Sequence, residues 1–162
     1  MEPSDEEFRD FLEAEKLVRV EARRARRPPN WSRSGTDAFV FRTPVEVAAV
    51  ARGTVLVVIN ISLERHWNFK LLLGSSEVLL WHFTDWPCRH RNRGCPPCFP
   101  RRVTAREHEH RRVAGRGLDC AVPLRGLADA THEEVFAAFC KRARIVFELP
   151  YGGPVVGEQL TF

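Results

Sequence analysis

Three strand-like segments with almost no chain between them constrain this fold most. Thr54 to Glu64 opens with five aliphatics in a row, Val55 to Ile59, then alternates Asn60, Ser62 and Glu64 with Ile61 and Leu63. Such a run predicts a strand buried on both faces in its first half and on one face in its second. Trp67 to Leu73 follows, with Trp67, Phe69, Leu71 and Leu73 on one face and Asn68 and Lys70 on the other. Gly74-Ser75-Ser76 makes a hairpin loop, and Glu77 to Thr84 is the third strand. Strands this close in sequence pair antiparallel, because a parallel pair needs a crossover of about a dozen residues or more. The expectation is an antiparallel meander.

Helices at the two ends complete the plan. Ser4 with Glu7 forms a capping box, and Phe8, Phe11, Leu12 and Val18 recur at helical spacing, so Ser4 to Arg26 reads as a helix stopped by Pro28-Pro29. Thr131 with Glu134 caps a second helix, Thr131 to Ala143, whose buried stripe is Val135, Phe136, Phe139, Cys140 and Ala143. Asn30 to Asp37 reads as a loop and Ala38 to Arg42 as a short strand. Thr43 to Arg52 fits either a strand or a helical turn, with Gly53 as the turn marker. Arg144 to Leu149 reads as a last strand. The fold class is therefore α+β: a sheet of about four to six strands packed by an N-terminal and a C-terminal helix. With 162 residues and 44% apolar content, a single domain over 1–149 is expected, followed by a loose tail at 150–162.

The chemistry concentrates between Trp81 and Arg112. Four prolines (87, 96, 97, 100) and Gly94 predict a long irregular loop over 85–106, and loops of that length are usually functional. Glu107 to Val113 reads as a strand that places His108 and His110 on one face. Cys95-x-x-Cys98 has the spacing of a metal knuckle, Cys88 lies upstream, and His90, His108 or His110 can supply a fourth ligand. Three thiolates and one imidazole suit structural zinc, with Cys88, Cys95, Cys98 and His110 as the expected set. Cys120 and Cys140 stand in apolar settings and read as core residues. His90, Asn92, His108 and His110 form the alternative, catalytic constellation, since imidazoles can exchange protons near neutral pH. Asp85 is a nearby carboxylate.

Net charge is only +4, but arginine far outnumbers lysine and clusters around this region. Arg89, Arg91, Arg106 and Arg112 are the expected contacts to RNA or DNA, because guanidinium forks match phosphate. No apolar run approaches the length of a membrane span. The first 20 residues are acidic and amphipathic rather than basic then apolar. That predicts a cytoplasmic protein with reduced thiols.

In their order, SDEEFRDFLEAEK at 4–16, the strand 59–63, LLWHF at 79–83, H-R-N-R-G at 90–94, H-E-H at 108–110 and the C-terminal helix resemble a small prokaryotic and phage-associated family of unknown function. More distantly, the pattern is similar to TumE-type toxins of toxin–antitoxin modules. The resemblance maps a loop histidine, asparagine and glycine onto His90, Asn92 and Gly94, and a histidine pair onto His108 and His110. Trp81-His82-Phe83 stands where those relatives carry Arg-x-Asp. The resemblance implies a mobile-element, phage-conflict or toxin-module setting, with a cognate antitoxin or a phage or host protein as partner; in that setting imidazoles and arginines without a dense carboxylate cluster point to a toxin-like nuclease with RNA the favoured substrate. The other expectation is a non-catalytic, zinc-stabilised binding, adaptor or antitoxin-like protein.

Overall fold

The computed structural model describes residues 2–18, 31–60, 62, 63, 65–148 and 151–154. The chain runs α1 (Asp5–Glu13), β1 (Lys16–Val18), β2 (Ser32–Ser34), β3 (Ala38–Val47), β4 (Val50–Asn60), β5 (Trp67–Leu73), β6 (Ser76–Arg91), β7 (Arg102–Val113), β8 (Gly117–Pro123), α2 (His132–Arg142) and β9 (Ile145–Phe147). One sheet of nine strands holds all of them, in the order β8-β7-β6-β5-β4-β3-β1-β9, with β2 paired to β3 beside that path. From β3 to β8 every neighbour is antiparallel, and only β1 and β9 pair in parallel. The α+β meander with two terminal helices is thus observed, with more strands than expected. No helix among the described residues is long and apolar enough to cross a membrane.

Both helices lie on one face. Phe8 and Phe11 of α1 and Val135, Phe136 and Phe139 of α2 join Val55, Val57, Phe69, Leu71, Leu79, Trp81 and Phe83 of the sheet in a single core. Period-2 alternation therefore sends Lys70, Leu80 and His82 to the opposite face. Both capping boxes are present.

The expected first helix is cut short. It ends at Glu13, and Lys16 to Val18 turn into a strand; residues 19–26 of the expected helix lie outside the described residues. Lys16 explains the break. Its fully buried ammonium donates to the carbonyls of Leu12 (3.1 Å), Ala14 (2.7 Å) and Ala143 (2.8 Å), joining the C-terminal ends of both helices. Burial, with Arg144 nearby, pushes its pKa down to about 8.

Thr43 to Val47 belong to a strand, and the turn falls at Ala48-Ala49, which take φ of 51° and 64°. Gly53, the expected turn marker, lies inside β4 instead. A Cβ there would collide with the Phe11 ring and the Leu72 carbonyl, so the glycine admits α1 onto the sheet. Ser32 to Ser34, expected as loop, pair with β3. The tail is fastened as far as it is described: the Tyr151 ring stacks on Phe136 at 3.6 Å, and Gly153 N–H donates to Glu133 at 2.9 Å.

His132, the first residue of α2, is buried among Trp31, Trp67, Phe69 and Tyr151. Burial pushes its imidazole down to about 4. The unfolded chain takes up a proton below about pH 6.5, while the folded chain stays neutral to about 4. The stabilising contribution is therefore full above 6.5 and lost as pH falls to 4. Between pH 6.5 and 4 wild type should lose about 3 kcal/mol more stability than His132→Phe, as read by denaturation at each pH.

Candidate metal centre

The region expected as a loop over 85–106 is a β-ribbon. Cys88 to Arg91 pair with Arg102 to Ala105, so only residues 92–101 form the tip. Prolines obscured this, yet each sits where no ladder hydrogen bond is needed. Pro96, Pro97 and Pro100 are in the tip. Pro87 is in a bulge, where four residues (84–87) of β6 face one residue (106) of β7. The Thr84 hydroxyl fills the bulge, 2.6 Å from the Trp86 carbonyl and 3.2 Å from that of Arg106. Bulges bend strands, and this one folds the ribbon back over the face opposite the helices. In a straight ladder His90 would stand roughly 30 Å from His110 at about 3.3 Å per residue. Instead their rings are 5.1 Å apart.

Three ties hold the folded arm. Asn92 is buried; its amide donates to the carbonyls of Pro100 (2.7 Å) and Ala121 (2.7 Å) and accepts from the Ala121 N–H (2.8 Å). His90 Nε2–H donates to the Asp119 carbonyl at 2.7 Å. Cys95 is bonded to Cys120 in a disulfide. A Cβ on Gly94 would press against the Arg116 guanidinium, and φ of +70° there also favours glycine.

Beneath the arm the histidines form a row. Ring centroids step from His66 to His82 (5.5 Å), to His108 (5.0 Å), to His110 (4.9 Å) and to His90 (5.1 Å). His82 pairs directly with His108 across the ladder. His82, His108 and His110 each bring a ring nitrogen to within 4.8 Å of the others, a cluster able to hold a metal ion. A carbonyl only accepts, so His110 Nδ1–H donates to Leu118 O at 2.8 Å and its Nε2 keeps a lone pair. His108 is 3% exposed, and its Nδ1 is buried with no hydrogen-bond partner. Leaving such a group unpaired costs about 1–3 kcal/mol.

Burial, then the neighbouring imidazoles, pushes His82 and His108 down to about 4; burial also lowers His110. All three are neutral at pH 7, the form that binds metals, so protons do not compete for the site. Tetrahedral zinc, with bonds of about 2.0–2.1 Å, needs its nitrogens about 3.3 Å apart.

The structure redistributes the expected residues. His90, His108 and His110 meet, as the sequence suggested, but Asn92 has its hydrogen-bonding groups committed to the backbone and serves as a pin. The expected knuckle of Cys88, Cys95, Cys98 and His110 is not assembled. Cys95 is taken by Cys120, Cys98 is exposed, and Cys88 lies 3.6 Å from the Thr84 hydroxyl. The disulfide also overturns the expectation of reduced thiols and gives Cys120 a covalent role. Cys140 is a core residue, its thiol pushed up to about 12 by burial. Asp85 accepts from the Arg65 N–H at 2.7 Å, on the far side of the bulge. Arg112 stacks on Phe8 at 3.5 Å and pairs with Glu2 and Asp5, so it ties α1 to the sheet, away from the arm. Arg89, Arg91 and Arg106 are exposed on the arm.

Sequence reasoning missed His82 and His66. A signal for His82 was present, since a histidine between core residues Trp81 and Phe83 must face away from the core. Glu109, between the two histidines of β7, faces the core: it is buried and accepts from Trp81 Nε1 (2.7 Å) and Arg142 (3.2 Å). Comparison with protein-family models, curated proteins and solved structures found no match.

Proposed function

We propose that this chain is a non-catalytic binding protein in which zinc, held by His82, His108 and His110, locks the arginine-rich arm onto the sheet. The observation that carries this reading is the buried, unpartnered Nδ1 of His108 between two further neutral imidazoles. A cation is the partner that nitrogen lacks, and imidazole sets suit zinc among the available metals. His90, on the arm and beside His110, keeps a lone pair on Nδ1 and is next in line as a fourth ligand. Four protein ligands make the closed, structural type of site.

The toxin-like ribonuclease reading draws less support. Metal-independent cleavage of RNA needs an imidazole that is protonated at neutral pH to serve as the acid. His82 and His108 do not reach that state, and the Asn92 amide has no hydrogen-bonding group to spare for phosphate.

Elemental mass spectrometry on untagged protein tests the reading. We expect about one zinc per chain in wild type and in Cys95→Ser with Cys98→Ser, and none in His82→Ala with His108→Ala. Zinc that follows the cysteines, or wild type free of zinc after growth with the metal, sinks it.

A further inference from the structure

We propose that the arm's outer face binds single-stranded RNA, with arginines on the phosphates and Trp86 under a base. This rests on the binding-protein reading above and names its partner.

Charge distribution carries the argument. Between Trp86 and Arg106 the chain has six arginines and not one aspartate, glutamate or lysine. These are Arg89, Arg91, Arg93, Arg101, Arg102 and Arg106, all exposed. None has a carboxylate within ion-pair distance among the described residues. Five arginines outside the arm have carboxylate partners. Arg65 meets Glu107, Arg111 and Arg142 meet Glu109, Arg112 meets Asp5, and Arg116 meets Asp119. The arm's six have none, and they are gathered in one stretch, whereas Arg33, Arg42 and Arg52, which also lack a carboxylate partner among the described residues, stand apart on separate strands.

The register sorts its side chains. His90 faces inward opposite buried Val103, so Arg89 and Arg91 face outward with their partners Thr104 and Arg102. Arg91 and Arg102 stand directly across from one another. Like charges so placed repel, and an anion between them relieves it. Arg89 and Arg91, two residues apart, are about 6.6 Å from each other along the ribbon. Use of arginine alone selects for phosphate, which its planar fork binds in bidentate fashion.

Trp86 narrows the partner. At 56% exposed it is an indole held out beside the arginines by the bulge. An indole stacks on an unpaired base and cannot reach one inside a duplex. An anionic bilayer would call for apolar side chains at the tip, but the tip's one aromatic, Phe99, is half-buried. RNA is favoured over single-stranded DNA by the exposed Thr104 hydroxyl beside Arg89, which can bond the 2′-hydroxyl that RNA alone carries.

Fluorescence anisotropy of the full chain with a labelled RNA of about 20 nucleotides, at several salt concentrations, tests this. Wild type should bind with affinity that falls as salt rises. Arg89→Gln with Arg91→Gln and Arg102→Gln should weaken binding at least tenfold and lower the slope of log K against log salt by about 2. Trp86→Ala should weaken it about tenfold. Zinc content and thermal midpoint, read on the same samples, should match wild type. No binding by zinc-loaded wild type, equal binding by the triple variant, or equal affinity for duplex RNA or single-stranded DNA overturns the proposal. So does binding to phosphatidylserine vesicles in place of RNA. Wild type that lacks zinc yet binds RNA with these dependences overturns the zinc reading alone.

Discussion

Zinc will raise the thermal midpoint of metal-free wild type by about 5–10 °C and leave His108→Phe unmoved. A ligand at a hundred times its Kd adds about 2.7 kcal/mol to stability, and in a chain of this size each kcal/mol shifts the midpoint by about 2–4 °C. Phenylalanine keeps a ring between His82 and His110 and deletes both ring nitrogens, the ligating one included. Zinc affinity should fall at least about 100-fold, beyond the usual loss from outer-shell changes. Metal-free His108→Phe should be no less stable than metal-free wild type, because the buried nitrogen that lacks a partner is gone. That second arm separates a metal ligand from a packing residue. If His108 only filled space, the substitution would leave the zinc response intact. Differential scanning fluorimetry with zinc and with a chelator reads both.

The meander was legible because its signals are local. Trp67 to Leu71 alternates apolar and polar residues, and Trp67–Leu73 forms the strand β5 at the expected bounds. Thr131 and Glu134 cap α2 where the pattern placed them. What failed depended on distant partners. Gly53 looks like a turn until the Phe11 ring is set against it. Lys16 looks like a solvated helix residue until three carbonyls from two helix ends converge on it. The arm was hidden by its prolines, since a sequence does not show which backbone N–H groups a bulge will excuse from pairing. The site was half legible: His108-x-His110 declared a shared face. That His82 lies opposite His108 follows only from the ladder register, and the fold-back that brings His90 over them follows only from the bulge. Cysteine spacing misled because Cys120, 25 residues from Cys95, competes for it.

Reducing the Cys95–Cys120 bond should cost about 3.5 kcal/mol, the chain entropy regained by opening a loop of 25 residues. Cys95→Ala with Cys120→Ala should reproduce that loss in denaturant melts without burying a hydroxyl at the fully buried Cys120 position. The loss should be local before it is global. Asn92 and His90 still tie the arm to β8 after reduction, but net hydrogen bonds are worth only about 1 kcal/mol each. The ribbon 88–91/102–105 should therefore open at a free energy below that of the core strands. Hydrogen exchange followed by mass spectrometry should show these amides losing protection in the reduced protein while β3, β4 and β5 keep theirs. Zinc should restore part of that protection if His90 joins the site, because the metal would then bridge arm and sheet. Restoration that survives His90→Ala would confine the metal to the sheet's three histidines. Uniform loss over arm and core alike would mean that the arm is part of one cooperative unit, with the bulge at 84–87 a rigid corner rather than a hinge.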